Sequence, residues 1–279
     1  MATKTTNYTQ GYSEATVSSH ASRTIHTDAA FLLPHIKSTD RILDVGCGPG
    51  TITMGFAGLL RQGSVTGIDI SEDVLARAKE MVARSPSQAN NISFQTANLL
   101  EGLAFPDDTF DVVFSSQLFP HLASLEMRRQ ALSEMRRVLK PGGILATREA
   151  AELHFYPRSY DLDRLWAGNM VRALRKGETV ASLPGGDMLA LYRLVGFDAA
   201  AGKIRVGAGT TVHSGREERR WYVDRNLEKL SAGDPYRESW IQVGVTEKEI
   251  EQVKEALSRW AEDDDAWYVA LQGETIGWK

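Results

Sequence analysis

Between residues 41 and 148, short apolar runs alternate with stretches of helical periodicity. The runs at 41–45, 64–70, 92–97, 110–115 and 144–148 are rich in β-branched and aromatic residues, which predicts strands buried on both faces. Between them, residues 72–84 place Val74, Leu75, Ala78, Met81 and Val82 at helical spacing. Ser71 is an N-cap there, and Glu72 and Asp73 occupy the first turn. A second helix is expected over 125–139, stopped by the turn Pro141-Gly142-Gly143. Its arginines Arg128, Arg129, Arg136 and Arg137 are expected on a solvated face. Strands and helices in this alternation build βαβ units, so the fold class is α/β with a parallel sheet.

After residue 150 the pattern loosens. Helices are expected at 161–175, 187–195, 216–230 and 246–260. The last begins with a Thr246–Glu249 capping box and carries Ile250, Val253, Leu257 and Trp260 on one face. Strands are expected at 197–206, continuing at 210–213, and at 267–271. The acidic run 262–265 reads as a solvated loop.

The composition narrows the function classes. With 42% apolar and 24% charged residues over 279 positions, the chain has a globular composition and room for a large core. A net charge of −4 gives no electrostatic case for nucleic acid or an anionic membrane as partner. The single cysteine, Cys47, excludes an internal disulfide and a site of several thiolates. The histidines show no ligand spacing with carboxylates, so no metal is expected. No apolar run approaches the roughly 20 residues of a membrane span, and the first residues lack the apolar core of a secretory signal, so a cytoplasmic protein is expected. All six Trp and six of the eight Tyr lie after Ala150, which makes the two halves chemically different.

The strongest chemical signal is Asp44-Val45-Gly46-Cys47-Gly48-Pro49-Gly50-Thr51 at the end of the first strand. Alternating glycines let the chain turn tightly and bring backbone N–H groups against a ligand outside the carboxyl ends of the strands. The spacing Gly46, Gly48, Gly50 departs from the Gly-x-Gly-x-x-Gly dinucleotide fingerprint, which argues against a nicotinamide oxidoreductase. Asp69, 23 residues after Gly46, ends the second strand, where a carboxylate can accept both hydroxyls of a ribose. Asn98 and Leu99 follow the third strand and can read an adenine edge, and Ser115-Ser116-Gln117 after the fourth suits a charged amino-acid tail.

These motifs (DVGCGPGT, VTGIDIS, QTANLL, FDVVFSSQLFPHL and RRVLKPGGILATRE, in that order) resemble the class I S-adenosylmethionine-dependent methyltransferases over about residues 38–150. SHASRT, AAFLLPHIK and GDMLALYRLVGF are similar to the ubiquinone/menaquinone-biosynthesis branch, whose fungal members include S-methyltransferases of gliotoxin-type dithiols. The resemblance implies a Rossmann-like, seven-stranded, mostly parallel sheet flanked by helices, with an inserted helical lid. It divides the chain into an N-terminal helical segment (1–37), a cofactor core (38–150), lid insertions at 151–184 and 214–265, a core continuation at 185–213 and a last core strand within 266–279. It implies S-adenosyl-L-methionine as cofactor, with Gly46 and Gly48 near its methionine part, Asp69 with Ile70 beside the ribose, Asn98 and Leu99 on adenine, Gln117 near the amino-acid tail and Arg23 toward the carboxylate. Asp44 either touches the cofactor or ties the loop. The family usually has Asp where this chain has Asn98, whose amide oxygen still accepts a hydrogen bond.

Methyl transfer from a sulfonium is an in-line displacement that asks the protein mainly for alignment and exclusion of water. A base matters for a phenol or alcohol and little for a thiol. His20, His121 and Glu149 are candidates near the acceptor, each with a structural reading beside it, and the catalytic residue stays open. Tyr12, Tyr156 and Trp166, with Tyr160, Trp221, Tyr222 and Trp240, could grip an apolar acceptor or pack a helical subdomain. Cys47 reads as a packing residue. The expected function is methyl transfer to a small molecule, either S-methylation of a gliotoxin-type dithiol or C- or O-methylation of a quinone or polyketide. A non-catalytic cofactor-binding protein is the alternative of a different class.

Overall fold

The computed structural model describes residues 20–84, 90–175 and 183–279. Its strands are β1 (Arg41–Val45), β2 (Ser64–Asp69), β3 (Ile92–Thr96), β4 (Phe110–Ser116), β5 (Leu139–Tyr156), β6 (Ile204–His213) and β7 (Trp267–Trp278). They form one seven-stranded sheet in the order β3-β2-β1-β4-β5-β7-β6. From β3 to β5 all neighbours are parallel, whereas β7 runs antiparallel to both β5 and β6. The sheet is therefore Rossmann-like and mostly parallel, and the direction of chain winding reverses between β1 and β4.

The helices are α1 (Ile25–Asp28), α2 (Thr51–Leu59), α3 (Glu72–Ala83), α4 (Leu125–Val138), α5 (Asn169–Leu174), α6 (Met188–Leu194), α7 (Arg216–Lys229), α8 (Pro235–Gln242) and α9 (Glu247–Ala261). Among the described residues no helix is long and apolar enough to cross a membrane. Successive side chains of a strand face opposite ways, and the two faces of β1 are covered accordingly. Leu43 and Val45 share a core with Ala131, Leu132 and Met135 of α4, while Ile42 shares one with Ile52 and Phe56 of α2. The rings of Phe56 and Phe114 meet edge to face at 5.3 Å.

A third core lies beyond the parallel strands. β4 stops at Ser116, opposite Arg148, but β5 is 18 residues long and continues to Tyr156 with β7 as its partner. A register shift between Ala150 and Glu152 marks where it leaves the parallel sheet. On this β5–β7–β6 ribbon α5, α7, α8 and α9 pack around Phe155, Val223, Trp240, Leu257 and Trp260. The Phe155 ring touches Trp166, Trp260 and Tyr268 at 5.7, 5.3 and 4.8 Å. The seam is tight, since a Cβ on Gly185 would sit 2.2 Å from Glu149 O, and one on Gly273 would sit 2.4 Å from Gly185 O.

Several elements differ from their sequence expectation, each for a local reason. The strand expected at 144–148 begins at Leu139, because Gly142 (φ 77°) lets the Pro-Gly-Gly segment bulge inside β5 instead of forming a separate turn. α4 is closed instead by Lys279, whose ammonium donates to the carbonyls of Arg136, Arg137 and Leu139 at 3.0, 3.3 and 2.7 Å. Arg128 is buried and donates to Leu122 O at 2.9 Å, not solvated. Arg137 clamps Glu134 and Asp107. The helix expected at 161–175 divides into a π-helical stretch, Asp163–Gly168, and α5. The strand expected from 197 begins at Ile204, and the one expected to end at 271 runs to Trp278, because both extend along the ribbon. Glu262 in the acidic loop binds Arg216 and Arg220, which pull its carboxyl down to about 2.

Candidate functional site

Two cavities open at the carboxyl ends of the parallel strands, the position that a reversal of winding leaves free. The first, about 710 Å³, is lined by the glycine loop after β1, the end of β2, the segment after β3 and the end of β4. Gly46, Gly48 and Gly50 have φ of 70°, 53° and 82°, which an L side chain tolerates poorly. A Cβ at Gly50 would also press against Phe94 at 2.9 Å, whereas Gly48 leaves open space. The loop is tied down by Gly46 N and Cys47 N, both donating to Ile68 O at 2.8 and 3.0 Å. Asp69 holds two backbone N–H groups, Gly48 N on Oδ2 and Ser71 N on Oδ1, each at 3.0 Å. A carboxylate has about four acceptor positions, so each oxygen keeps one for a ligand.

Asp44 lies beneath the loop and accepts from Thr53 Oγ1 at 2.6 Å. Burial raises its carboxyl to about 7. Burial also raises Asp69, partly opposed by its backbone N–H partners. Cys47 is pushed well up by burial and by Asp44 and Asp69, which keeps it a thiol and packs it rather than arming it. Asn98 caps the turn Leu99–Glu101: its oxygen accepts from Leu100 N at 3.1 Å and its amide donates to Glu101 at 2.9 Å. Ser116 Oγ is buried in the cavity wall and has no hydrogen-bond partner among the described residues.

The second cavity, about 780 Å³, lies over the ribbon. Trp166, Tyr222, Tyr236 and Tyr268 wall it together with aliphatic side chains, and Arg148, Lys229 and Gln272 supply polar atoms. Arg148 is buried and bridges Asp28 of α1 at 3.0 Å and Glu274 of β7 at 3.4 Å. The two cavities share His20, Arg23, Gln117 and His121. At that junction burial is the main cause that lowers both histidines, with Arg23 adding to it, and His121 falls to about 4. Gln117, in a left-handed conformation (φ 57°), donates to Gln272 Oε1 at 2.6 Å.

Of the residues singled out in the sequence, Arg23, Asp44, Gly46, Gly48, Asp69, Ile70, Asn98, Leu99 and Gln117 line the first cavity. His20 and His121 line both, and Trp166 lines the second. Glu149 lines neither: it is fully buried behind the wall, where Leu118 N and Phe119 N donate to it at 3.3 Å each, and burial raises it to about 8. Tyr156 also lines neither, because its ring stacks on Trp267 at 4.5 Å on the far side of the ribbon's aromatic cluster. Trp240 is wholly buried core, and the Tyr160 hydroxyl donates to Asp263. Tyr12 lies outside the described residues. Sequence reasoning missed Lys229, Tyr236 and Tyr268. A signal existed for the first: Tyr222, Asn226 and Lys229 follow one helical face, and α7 buries Arg219, Asn226 and Lys229.

Residues 42–143 match the family model described as a methyltransferase domain. A probable methyltransferase of Aspergillus luteorubrus, ltbC, is 51% identical over 280 residues, covering 99% of this chain and 98% of its own. Demethylmenaquinone methyltransferase of Symbiobacterium thermophilum is 40% identical over 119 residues, 42% of this chain and 45% of its own. The crystal structure of YcgJ from Bacillus subtilis has the same fold, with a TM-score of 0.56 at 16% identity over 90% of this chain and 96% of that one. The chain belongs to the S-adenosylmethionine-dependent methyltransferases. The first cavity fits that cofactor: Gly48 leaves room for close approach, Asp69 keeps acceptor positions free, and the buried Ser116 hydroxyl has no partner among the described residues.

Proposed function

We propose that the chain methylates a small molecule seated in the second cavity, using the sulfonium methyl of S-adenosylmethionine held in the first. The observation that carries this reading is the shared wall of His20, Arg23, Gln117 and His121 between the two cavities. The cofactor brings a methyl group and a neutral thioether leaving group, so alignment and exclusion of water are the protein's tasks. Gly46 and Gly48 would lie along the methionine part, with Asp69 and Ile70 at the ribose and Asn98 and Leu99 at adenine. Gln117, Ser116 and Arg23 would meet the amino-acid tail. Asp44 supports the loop from below through Thr53.

The sharper form of this reading is S-methylation of a gliotoxin-type dithiol. The cations Arg23 and Lys229 near the junction favour a thiolate, which needs no dedicated base. A second reading, C- or O-methylation of a quinone or polyketide-like molecule, is favoured by a different observation. Trp166, Tyr222 and Tyr236 line the second cavity, and among the described residues their Nε1 and Oη atoms have no hydrogen-bond partner; donors of this kind suit carbonyl and hydroxyl oxygens. A radiolabelled-methyl screen against thiols, phenols and quinones, followed by product mass, separates the two. Labelling of a phenol oxygen or quinone carbon with thiols untouched removes the dithiol form. Tight binding of NAD with no binding of S-adenosylmethionine or S-adenosylhomocysteine removes the whole reading.

A further inference from the structure

We infer that the methyl acceptor binds as an anion, with its charge against Lys229 of α7; this rests on reading the second cavity as the acceptor site. Lys229 is 8% exposed and lines that cavity. Burying an ammonium costs several kcal/mol unless an opposite charge compensates it. Yet among the described residues Lys229 forms no ion pair, and its nitrogen sits only over the Tyr236 ring, 5.9 Å from the centroid. A desolvated cation–π contact is worth about 2 kcal/mol, which falls short of the several kcal/mol that the burial costs.

The surrounding charges leave it in that position. Arg148 is matched by Asp28 and Glu274, and Arg225 of α7 by Glu228 at 3.7 Å. Glu218, at the far end of α7, accepts from Ser214 N and Gly215 N, and Asp234 Oδ1 caps α8 by accepting from Tyr236 N. Glu217 lines the cavity at the first turn of α7, away from Lys229 at its last. The groups whose charges Lys229 feels are Arg23, Arg225 and, in the favourable sense, Asp234. Burial and then Arg23 lower the ammonium to about 8, so it is still mostly charged at neutral pH.

The wall donors point to the same ligand. Among the described residues Trp166 Nε1, Tyr222 Oη and Tyr236 Oη have no acceptor in hydrogen-bond geometry; Tyr222 is influenced by Tyr268 and Asn226, and Tyr236 by Trp240, without forming a well-aligned bond. A buried cation and donors on an aromatic wall describe a largely apolar molecule bearing an anionic group.

The test uses the full chain and two isosteric probes, 2-naphthoate and 2-naphthamide. Both are titrated calorimetrically at pH 7, with and without saturating S-adenosylhomocysteine. Naphthoate is expected to bind at least tenfold more tightly than the amide. Lys229→Met should erase the preference and Lys229→Arg should keep it, with the S-adenosylhomocysteine Kd unchanged in both variants. Equal affinity for the two probes, failure of both to bind, or a preference that survives in Lys229→Met overturns the inference. The wild-type comparison decides even if a variant fails to fold. Loss of S-adenosylhomocysteine binding by the wild type would strike the methyl-transfer reading instead, while a charge preference without it would still support Lys229 as counter-ion.

Discussion

The first cavity is framed by a main-chain loop, held by glycines at positive φ and by two N–H groups on Asp69. The second is walled by side chains from β5, β6, α7, α8 and β7, several of them polar groups without a hydrogen-bond partner among the described residues. The contrast is physical. Backbone on a parallel sheet can present few shapes, which suits an invariant ligand. Side chains carried by helices over a ribbon can present many, which suits a site whose ligand varies.

The comparison is broken most severely at Asp69. Asp69→Ala removes a carboxylate and releases Gly48 N, so affinity for S-adenosylhomocysteine should fall about 100-fold, near 3 kcal/mol, in calorimetry. If the affinity is unchanged, the first cavity does not hold the cofactor as proposed. Next in size, Gly50→Ala forces an L residue to φ 82° against Phe94 and should cost about 2 kcal/mol in urea unfolding. A smaller effect tests the seam. Glu149 is raised from 4.5 to about 8, so the folded state retains a proton that the unfolded chain has released, and stability should fall as pH rises through that window. The slope is at most about 1.4 kcal/mol per pH unit. His121, lowered to about 4, acts in the opposite sense below 6.5, so the fall should be clearest above that value. Glu149→Gln should flatten it, and an unchanged slope would show that Glu149 is ionised in the fold. The smallest change carries the opposite sign. Tyr236→Phe deletes a hydroxyl that has no well-aligned hydrogen bond among the described residues, so thermal stability should hold or rise by up to about 1 kcal/mol. The acceptor KM should rise while S-adenosylhomocysteine affinity stays constant.

The same contrast explains what could be read from the chain. Each βα unit puts its functional groups at a strand's carboxyl end, so Gly46–Gly50, Asp69, Asn98 and Gln117 stand beside patterns that are local in sequence. The second cavity draws Arg148, Lys229, Tyr236 and Tyr268 together across the chain, and no local periodicity marks them as neighbours. The aromatic excess after Ala150 was visible, yet Trp240 and Trp260 proved to be core while Trp166 and Tyr222 line the cavity, a division made by packing alone. The length of β5 escaped for a different reason: the bulge between Ala150 and Glu152 breaks the alternation by which a strand is recognised. The Gly185–Gly273 contact at the seam has no signature at all, because only the fold brings those backbones together.

The unbroken passage of β5 from Leu139 to Tyr156 has a mechanical consequence. β4, whose end lines the first cavity, pairs with β5, which lines the second, so the two walls cannot slide relative to each other without breaking the ladder between these strands. On the proposed function, the spacing between cofactor and acceptor would thus be set by the sheet. Acceptor preference can then drift by exchanging residues on α7 and α8 while the spacing between donor and acceptor stays constant.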